Sequence, residues 1–179
     1  GFRSRSAFKL IELNKKYKFI KSNTKLIDIG SHPGGWAQVS SKIITTGKIL
    51  AIDIKEMEKL KNVSFFKCNF LKEESKEKIL KFFKQKLDVV LSDMAANTTG
   101  NKALDCIRTN QLCADVVVFS SKILKPNGVL VTKLFMGEDF LEVKDLARSR
   151  FEKVQFFKPE ASRNESKETY LHCSILKTL

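Results

Sequence analysis

The sequence predicts an α/β fold, a seven-stranded, mostly parallel sheet covered by helices on both faces, and three observations carry that expectation. Short apolar runs of strand length alternate with segments of helical period along the chain. The first run, Leu26-Ile27-Asp28-Ile29, passes into Gly30-Ser31-His32-Pro33-Gly34-Gly35-Trp36, a glycine turn placed to open a helix. Several later runs end on polar residues, as expected where the carboxyl ends of parallel strands border a ligand crevice.

Taken in order, the pattern predicts a helix over Ser6–Tyr17, a strand at Lys25–Ile29 and, after the glycine turn, a helix over Trp36–Ile44. Strands follow at Lys48–Ile54 and Val63–Cys68, then a helix over Glu74–Lys84 and a strand at Leu87–Ser92. The long helix Ala103–Leu124 is stopped by Pro126-Asn127-Gly128, because proline cannot continue a helix and glycine accepts positive φ. That turn starts the strand Val129–Lys133. A helix over Phe140–Ser149 and strands at Val154–Lys158 and Tyr170–Leu176 complete the order. With 179 residues, no repeat and no low-complexity linker, residues 1–179 read as one domain able to bury its own core.

The net charge of +13 favours an anionic partner, nucleic acid first. Lysine outnumbers arginine, so a lysine-rich surface without a partner is the bland alternative. The four cysteines form no C-x-x-C pair and do not cluster with the two histidines, which argues against a metal site or a disulfide framework. They are expected to be reduced, mostly buried thiols of an intracellular protein. No apolar run approaches the ~20 residues that span a bilayer, so no membrane association is expected. No cleavable signal is visible, although the start at Gly1-Phe2-Arg3 leaves room for an upstream targeting segment. A monomer suffices for the chemistry below.

The glycine turn narrows the ligand. A dinucleotide fingerprint needs G-x-G-x-x-G, whereas Gly30 is followed by Ser31, His32 and Pro33 before Gly34 and Gly35. A nucleoside-binding turn of the kind used with S-adenosylmethionine (SAM) remains. Asp53 closes the second strand, where a carboxylate accepts hydrogen bonds from ribose hydroxyls; a local cap is the competing reading. Asn69 ends the third strand, where its amide suits an adenine edge flanked by Ile54 and Phe70; an ordinary turn asparagine is the alternative. The fourth strand ends at Asp93, where the reacting end of the cofactor is expected. Lys133 terminates the fifth, an unusual place for an ammonium unless it is paired, neutral or reaches solvent.

The segments Phe2-Arg3-Ser4-Arg5-Ser6-Ala7-Phe8-Lys9-Leu10, Gly30 to Trp36, Ser92-Asp93-Met94-Ala95, Val131-Thr132-Lys133 and Ser162 to Tyr170 together resemble the FtsJ/RrmJ family of ribosomal RNA ribose 2'-O-methyltransferases. The motifs keep the family's order over nearly the whole chain. The resemblance implies a Rossmann-like SAM-dependent methyltransferase fold and a catalytic Lys9–Asp93–Lys133–Glu168 tetrad. It also implies SAM contacts at Gly34, Trp36, Asp53, Asn69 and Asp93; as the cysteine and histidine pattern suggests, no metal is expected. Two departures put cofactor affinity in question: Ser31-His32 where the family has small residues, and Asn69 where aspartate is common. His32 reads as a loop residue tolerated beside the cofactor.

The implied reaction moves a methyl group from SAM to a ribose 2'-hydroxyl of RNA, with large-subunit ribosomal RNA the expected target. Lys133 is expected as general base, Lys9 as positive charge beside the developing alkoxide, and Asp93 with Glu168 as orienters of the two amines. A rival assignment keeps Lys133 charged as an electrostatic stabiliser. Arg3, Arg5, Lys9, Lys16, Arg163 and Lys167 are expected to form a basic rim for RNA phosphates, with Phe2 and Phe135 available to stack a base. Phe65, Phe66, Phe82, Phe83, Phe156 and Phe157 follow element periodicity and are assigned to the core. Competing functions are a transfer-RNA or messenger-RNA-cap 2'-O-methyltransferase, a noncatalytic RNA-binding assembly module, and an NAD-binding protein, the last disfavoured by the turn spacing.

Overall fold

A computed structural model describes residues 1–164 and 166–178 of the chain; Glu165, part of the last motif above, lies outside the described residues. The elements run α1 (Ser6–Tyr17), β1 (Lys25–Ile29), α2 (Gly35–Ile43), β2 (Lys48–Asp53), β3 (Ser64–Lys67), α3 (Glu73–Phe83) and β4 (Leu87–Ser92). They continue α4 (Lys102–Ile123), β5 (Leu124–Phe135), α5 (Phe140–Arg150), β6 (Phe151–Phe157) and β7 (Glu168–Leu176). The strands form one seven-stranded sheet in the order β3-β2-β1-β4-β5-β7-β6. The first five pair in parallel, and β7 pairs antiparallel with both β5 and β6.

One expected boundary is corrected. The long helix ends at Ile123, and β5 begins at Leu124, ahead of the Pro126-Asn127-Gly128 turn. The backbone is already extended at Leu124, and Lys125, the residue before the proline, is kept out of the helical region, so the helix does not run into the turn. Leu124 pairs with Leu87 and Val129 with Val89, so β5 advances five residues while β4 advances two. The turn is therefore an irregularity inside the strand.

Side chains of each strand alternate between two helical layers. On one face Ile27, Ile29, Val90, Leu130, Leu134 and Leu171 pack with Ile79 of α3, Val116 and Phe119 of α4, and Val143 of α5. On the other, Leu26, Val89, Leu91, Val131 and Tyr170 pack with Ala7, Leu10 and Leu13 of α1 and with Trp36 and Val39 of α2. Among the six phenylalanines assigned to the core, Phe83 is fully buried, while Phe65, Phe66, Phe82, Phe156 and Phe157 pack at its margins.

The second face carries the polar strand residues that matter. Asp28 follows Leu26 by two, Asp93 follows Leu91 by two, Lys133 follows Val131 by two, and Glu168 precedes Tyr170 by two, so period-2 alternation sends all four toward α1 and α2. Helix α1 is fastened there at its first residue and at its middle. The Trp36 indole Nε1 donates to Ser6 O at 2.8 Å, and Glu12 accepts from the Glu160 and Ala161 amides at 2.7 and 2.9 Å. No helix among the described residues is long and apolar enough to cross a membrane.

Candidate active site

The strand order reverses between β1 and β4, and a cleft of about 390 Å³ opens at the carboxyl ends of the strands there. Gly30, His32, Asp53, Ile54, Asn69 and Phe70 line it, with Asp93 at one end. Gly30 takes φ +73°, and a Cβ there would overlap the Met94 side chain, so the first turn residue has to be glycine.

Asp53 does both jobs the sequence left open. It lines the cleft, while Oδ2 accepts from the His32 amide at 2.8 Å and Oδ1 from the Lys55 amide at 2.9 Å. Each oxygen retains a second lone pair. Asn69 is likewise a turn residue and a cleft residue: Oδ1 accepts from the Leu71 amide at 3.0 Å. That bond fixes the amide's orientation, and among the described residues its NH₂ donates to no protein group. The NH₂ donor is thus wholly free, and Oδ1 keeps a second lone pair. His32 is exposed at the cleft rim and contributes its backbone to the Asp53 bond.

Two residues implied as cofactor contacts lie outside the main cleft. Trp36 is 3% exposed, donates to α1, packs at 5.6 Å from the Tyr170 ring and borders a small cavity separate from the main cleft. Gly34, at φ +120°, caps α2 and lies against Arg3 and Met57 rather than the main cleft. In their neighbourhood the structure brings forward a group the sequence reading quoted without assigning. Asp28 is 1% exposed and borders a small cavity of about 40 Å³ together with Ser4, Ser6, Gly35 and Asp93. Its Oδ2 has no hydrogen-bond partner among the described residues. Burial, reinforced by Asp93 and Asp53, pushes its carboxyl well above the usual range, while a hydrogen bond with the Ala37 backbone acts the other way.

Lys9, Asp93, Lys133 and Glu168 do converge. Lys9 Nζ is 2.7 Å from Glu168 Oε1, and Lys133 Nζ is 3.4 Å from Asp93 Oδ1 and 3.6 Å from Glu168 Oε2. All four side chains are at most 17% exposed. A fifth member went unrecognised in the sequence. Tyr170, fully buried and paired across the sheet with Lys133, brings its hydroxyl within 2.6 Å of Asp93 Oδ1 and 2.8 Å of Glu168 Oε1. The signal was available: Tyr170 stands two residues after Glu168, on the same face of the strand.

The two acids differ in environment. Burial raises the Asp93 carboxyl above its ordinary range, with Lys133 and the Tyr170 hydroxyl opposing without cancelling it. Burial also acts to raise Glu168, but Lys133, the Lys9 hydrogen bond and the Tyr170 hydroxyl outweigh it and hold that carboxyl low. The Tyr170 phenol is pushed well up by burial and by both carboxylates, so it serves as a neutral donor.

The expected basic rim is only partly available. Arg3 donates to the carbonyls of Pro33, Glu58 and Lys59 and serves as an internal clasp. Lys16 sits over the Tyr17 and Phe157 rings at the far end of α1. Arg5, Arg163 and Lys167 are exposed. Phe2 packs edge-to-face on Phe8 with Lys42 over its ring, and Phe8, 52% exposed, is the aromatic presented to solvent beside Lys9. Phe135 is half-buried, its backbone held by Asn110 at 2.8 and 2.9 Å. Among the described residues no group of three or more His, Cys, Asp or Glu is placed to hold a metal ion.

The family model for FtsJ-like methyltransferases matches residues 2–175. The chain is 44% identical to a "Ribosomal RNA large subunit methyltransferase E" of Pelagibacter ubique over 99% of its own length and 87% of the relative's. It is 44% identical to the protein of that name from Rickettsia akari, over 96% and 78%. A crystal structure of a Plasmodium falciparum protein described as a ribosomal RNA methyltransferase superposes with a TM-score of 0.85 at 31% identity, covering 98% of each chain. At 16% identity, a Streptococcus mutans methyltransferase solved in complex with SAH shares the fold, with a TM-score of 0.61 over 92% and 95% of the chains.

Proposed function

The chain belongs to the FtsJ-like methyltransferase family, and from that premise we propose that it transfers a methyl group from SAM to a ribose 2'-hydroxyl of large-subunit ribosomal RNA. The observation that carries this reading is the convergence of two amines, two carboxylates and a buried phenol beside a nucleoside-sized cleft.

The residues present fit SAM. Asp53 offers spare lone pairs to ribose hydroxyls, Asn69 a free NH₂ to an adenine ring nitrogen, and Ile54 and Phe70 apolar walls. The unpartnered Asp28 Oδ2 suits the methionyl ammonium, since a buried carboxylate is stabilised by an opposite charge. When bound, SAM supplies an electrophilic methyl carried on a sulfonium.

The chain's own residues hold the ribose and remove its proton. Positioning two reactants at near-attack distance supplies roughly 7–11 kcal/mol. Lys133 accepts the hydroxyl proton, Lys9 stabilises the oxygen as it becomes an alkoxide, and Asp93 and Glu168 orient the two amines. Lys133 has to be neutral first. Asp93 Oδ1, 3.4 Å away and with its carboxyl raised by burial, is placed to receive the ammonium proton.

Intact members at all four tetrad positions also speak against a noncatalytic assembly module. The test is transfer of labelled methyl from SAM to ribosomal RNA and large ribosomal subunits lacking the modification, with Lys133→Ala alongside and the product mapped by nucleotide. Incorporation at one ribose, abolished by the substitution, is expected. Label on a base, or none on either substrate, overturns the reading.

A further inference from the structure

A second groove, of about 540 Å³, opens on the opposite side of the sheet's edge from α1, between α5, β6 and the segment entering β7. Its floor is apolar: the Phe140 and Phe156 rings lie 5.1 Å apart, and the Met136 side chain beside them is 49% exposed. Its rim is cationic. Phe140, Lys144 and Arg148 follow one another at intervals of four along α5 and so share one helix face, and Lys167 stands across the groove. Neither Lys144, Arg148 nor Lys167 forms an ion pair among the described residues. Lys158 also lines the groove, but its Nζ donates to the carbonyls of Ser166 and Glu168, both at 2.7 Å, and holds the strand entry.

Glu168 ties this groove to the tetrad. It lines the groove and also receives Lys9 and Lys133. Among the described residues it is the one acid lining the groove, and its carboxylate is paired with those two lysines. Met136, in turn, lies three residues beyond Lys133 on the same chain segment, its amide fastened to Lys167 O at 2.8 Å.

An apolar, aromatic floor under cations that form no ion pair among the described residues matches the two chemistries of a nucleotide, a π-faced base and a phosphate. We propose that this groove is a subsite for an unpaired RNA nucleotide flanking the methylated one, its base resting on Met136, Phe140 and Phe156 and its phosphate held by Lys144 and Arg148. This rests on RNA being the substrate. It extends the RNA path past the tetrad toward α5, away from α1, where the sequence placed most of the expected basic rim. A single-stranded stretch fits the site better than a duplex, because a base reaches the floor only when it is unstacked.

The test uses the full chain, a Lys144→Glu/Arg148→Glu variant and a Met136→Ala variant. A fluorescent ribosomal RNA fragment reports binding by anisotropy over a range of salt, and methyl transfer reports kcat and KM. The charge-reversed variant is expected to lose about tenfold or more in RNA affinity and to raise KM for RNA, while SAM affinity stays at the parent value and shows an intact fold. Its salt dependence should flatten, by about 1.4 in the log–log slope for two lost single-strand phosphate contacts. Met136→Ala should weaken binding without altering that slope, and 4-thiouridine beside the target should cross-link to the peptide carrying Met136 and Phe140. Parent-like RNA binding and KM in both variants, with the parent active, overturns the subsite and leaves the proposed function standing. A parent that neither binds nor methylates RNA overturns the proposed function. Altered self-association with unchanged RNA affinity assigns the groove to protein contact and also overturns the subsite.

Discussion

The Tyr170 hydroxyl lies 2.6 Å from Asp93 Oδ1, joining the acid just past β4 to an antiparallel strand 77 residues later. The same hydroxyl lies 2.8 Å from Glu168 Oε1. One phenol donor thus serves both carboxylates, and its hydrogen bond to Asp93 opposes the rise that burial imposes on that carboxyl. Tyr170 is therefore a positioning residue that ties Asp93 to Glu168.

Tyr170→Phe keeps the buried ring against Trp36 and removes the donor. We expect a fall in kcat of about tenfold or more, an unchanged KM for SAM, and a loss of about 1–2 kcal/mol in stability from the unsatisfied carboxylates. The Tyr170 hydrogen bond lowers the Asp93 carboxyl, so its removal should also move the inflection of the pH–rate profile associated with Asp93 to higher pH. A profile superimposable on the parent's would remove Tyr170 from the positioning role.

Lys133→Arg separates proton acceptance from charge. Arginine stays protonated and can still pair with Asp93 and Glu168, so single-turnover methyl transfer should fall by about 10²-fold or more across the whole pH range. A strong residual rate would assign Lys133 to electrostatic stabilisation instead.

Asp28→Asn preserves shape and an acceptor for the Ala37 amide while removing the buried negative charge. SAM affinity, measured by calorimetry, should weaken about tenfold or more, with the melting temperature held or raised because the desolvated acid is gone. Undiminished affinity would separate Asp28 from the methionyl ammonium.

His172 sets a pH dependence of stability. It is 7% exposed, stacked at 3.9 Å on Tyr17, and its Nδ1 has no partner among the described residues. Burial lowers its pKa to about 4, with nearby Lys153 acting in the same direction and a backbone hydrogen bond opposing. The unfolded chain protonates near pH 6.5 and the folded one only near 4, so the unfolded state binds more protons between those values and stability falls as pH drops through that window. His172→Phe retains a ring for the stack and removes the titration. Urea unfolding should show the parent losing about 1–2 kcal/mol more than the variant between pH 6.5 and 4.5. Equal pH slopes would eliminate His172 as the cause.

By itself the sequence determined the elements and the strand-end acids. Alternating apolar runs located all seven strands and set Asp93 and Lys133 at strand ends, whereas Glu168 lay outside the expected strand Tyr170–Leu176 and opens β7 in the fold. The spacing of Gly30 from Gly34 and Gly35 excluded a dinucleotide fingerprint, since glycine is needed where backbone bends sharply, and that need is local. Only the tertiary structure decided which partners each polar side chain meets. Arg3 lies in the same motif as Lys9, yet one is clasped by three carbonyls and the other faces Glu168 across 159 residues. Trp36 turns into α1, Tyr170 enters the tetrad, and Met136, Phe140 and Lys144 meet Lys167 in a groove no linear motif marks. Backbone conformation is governed by near neighbours in the chain, whereas a side chain's hydrogen bonds and solvent exposure are set by residues that only the closed sheet and its packed helices bring together.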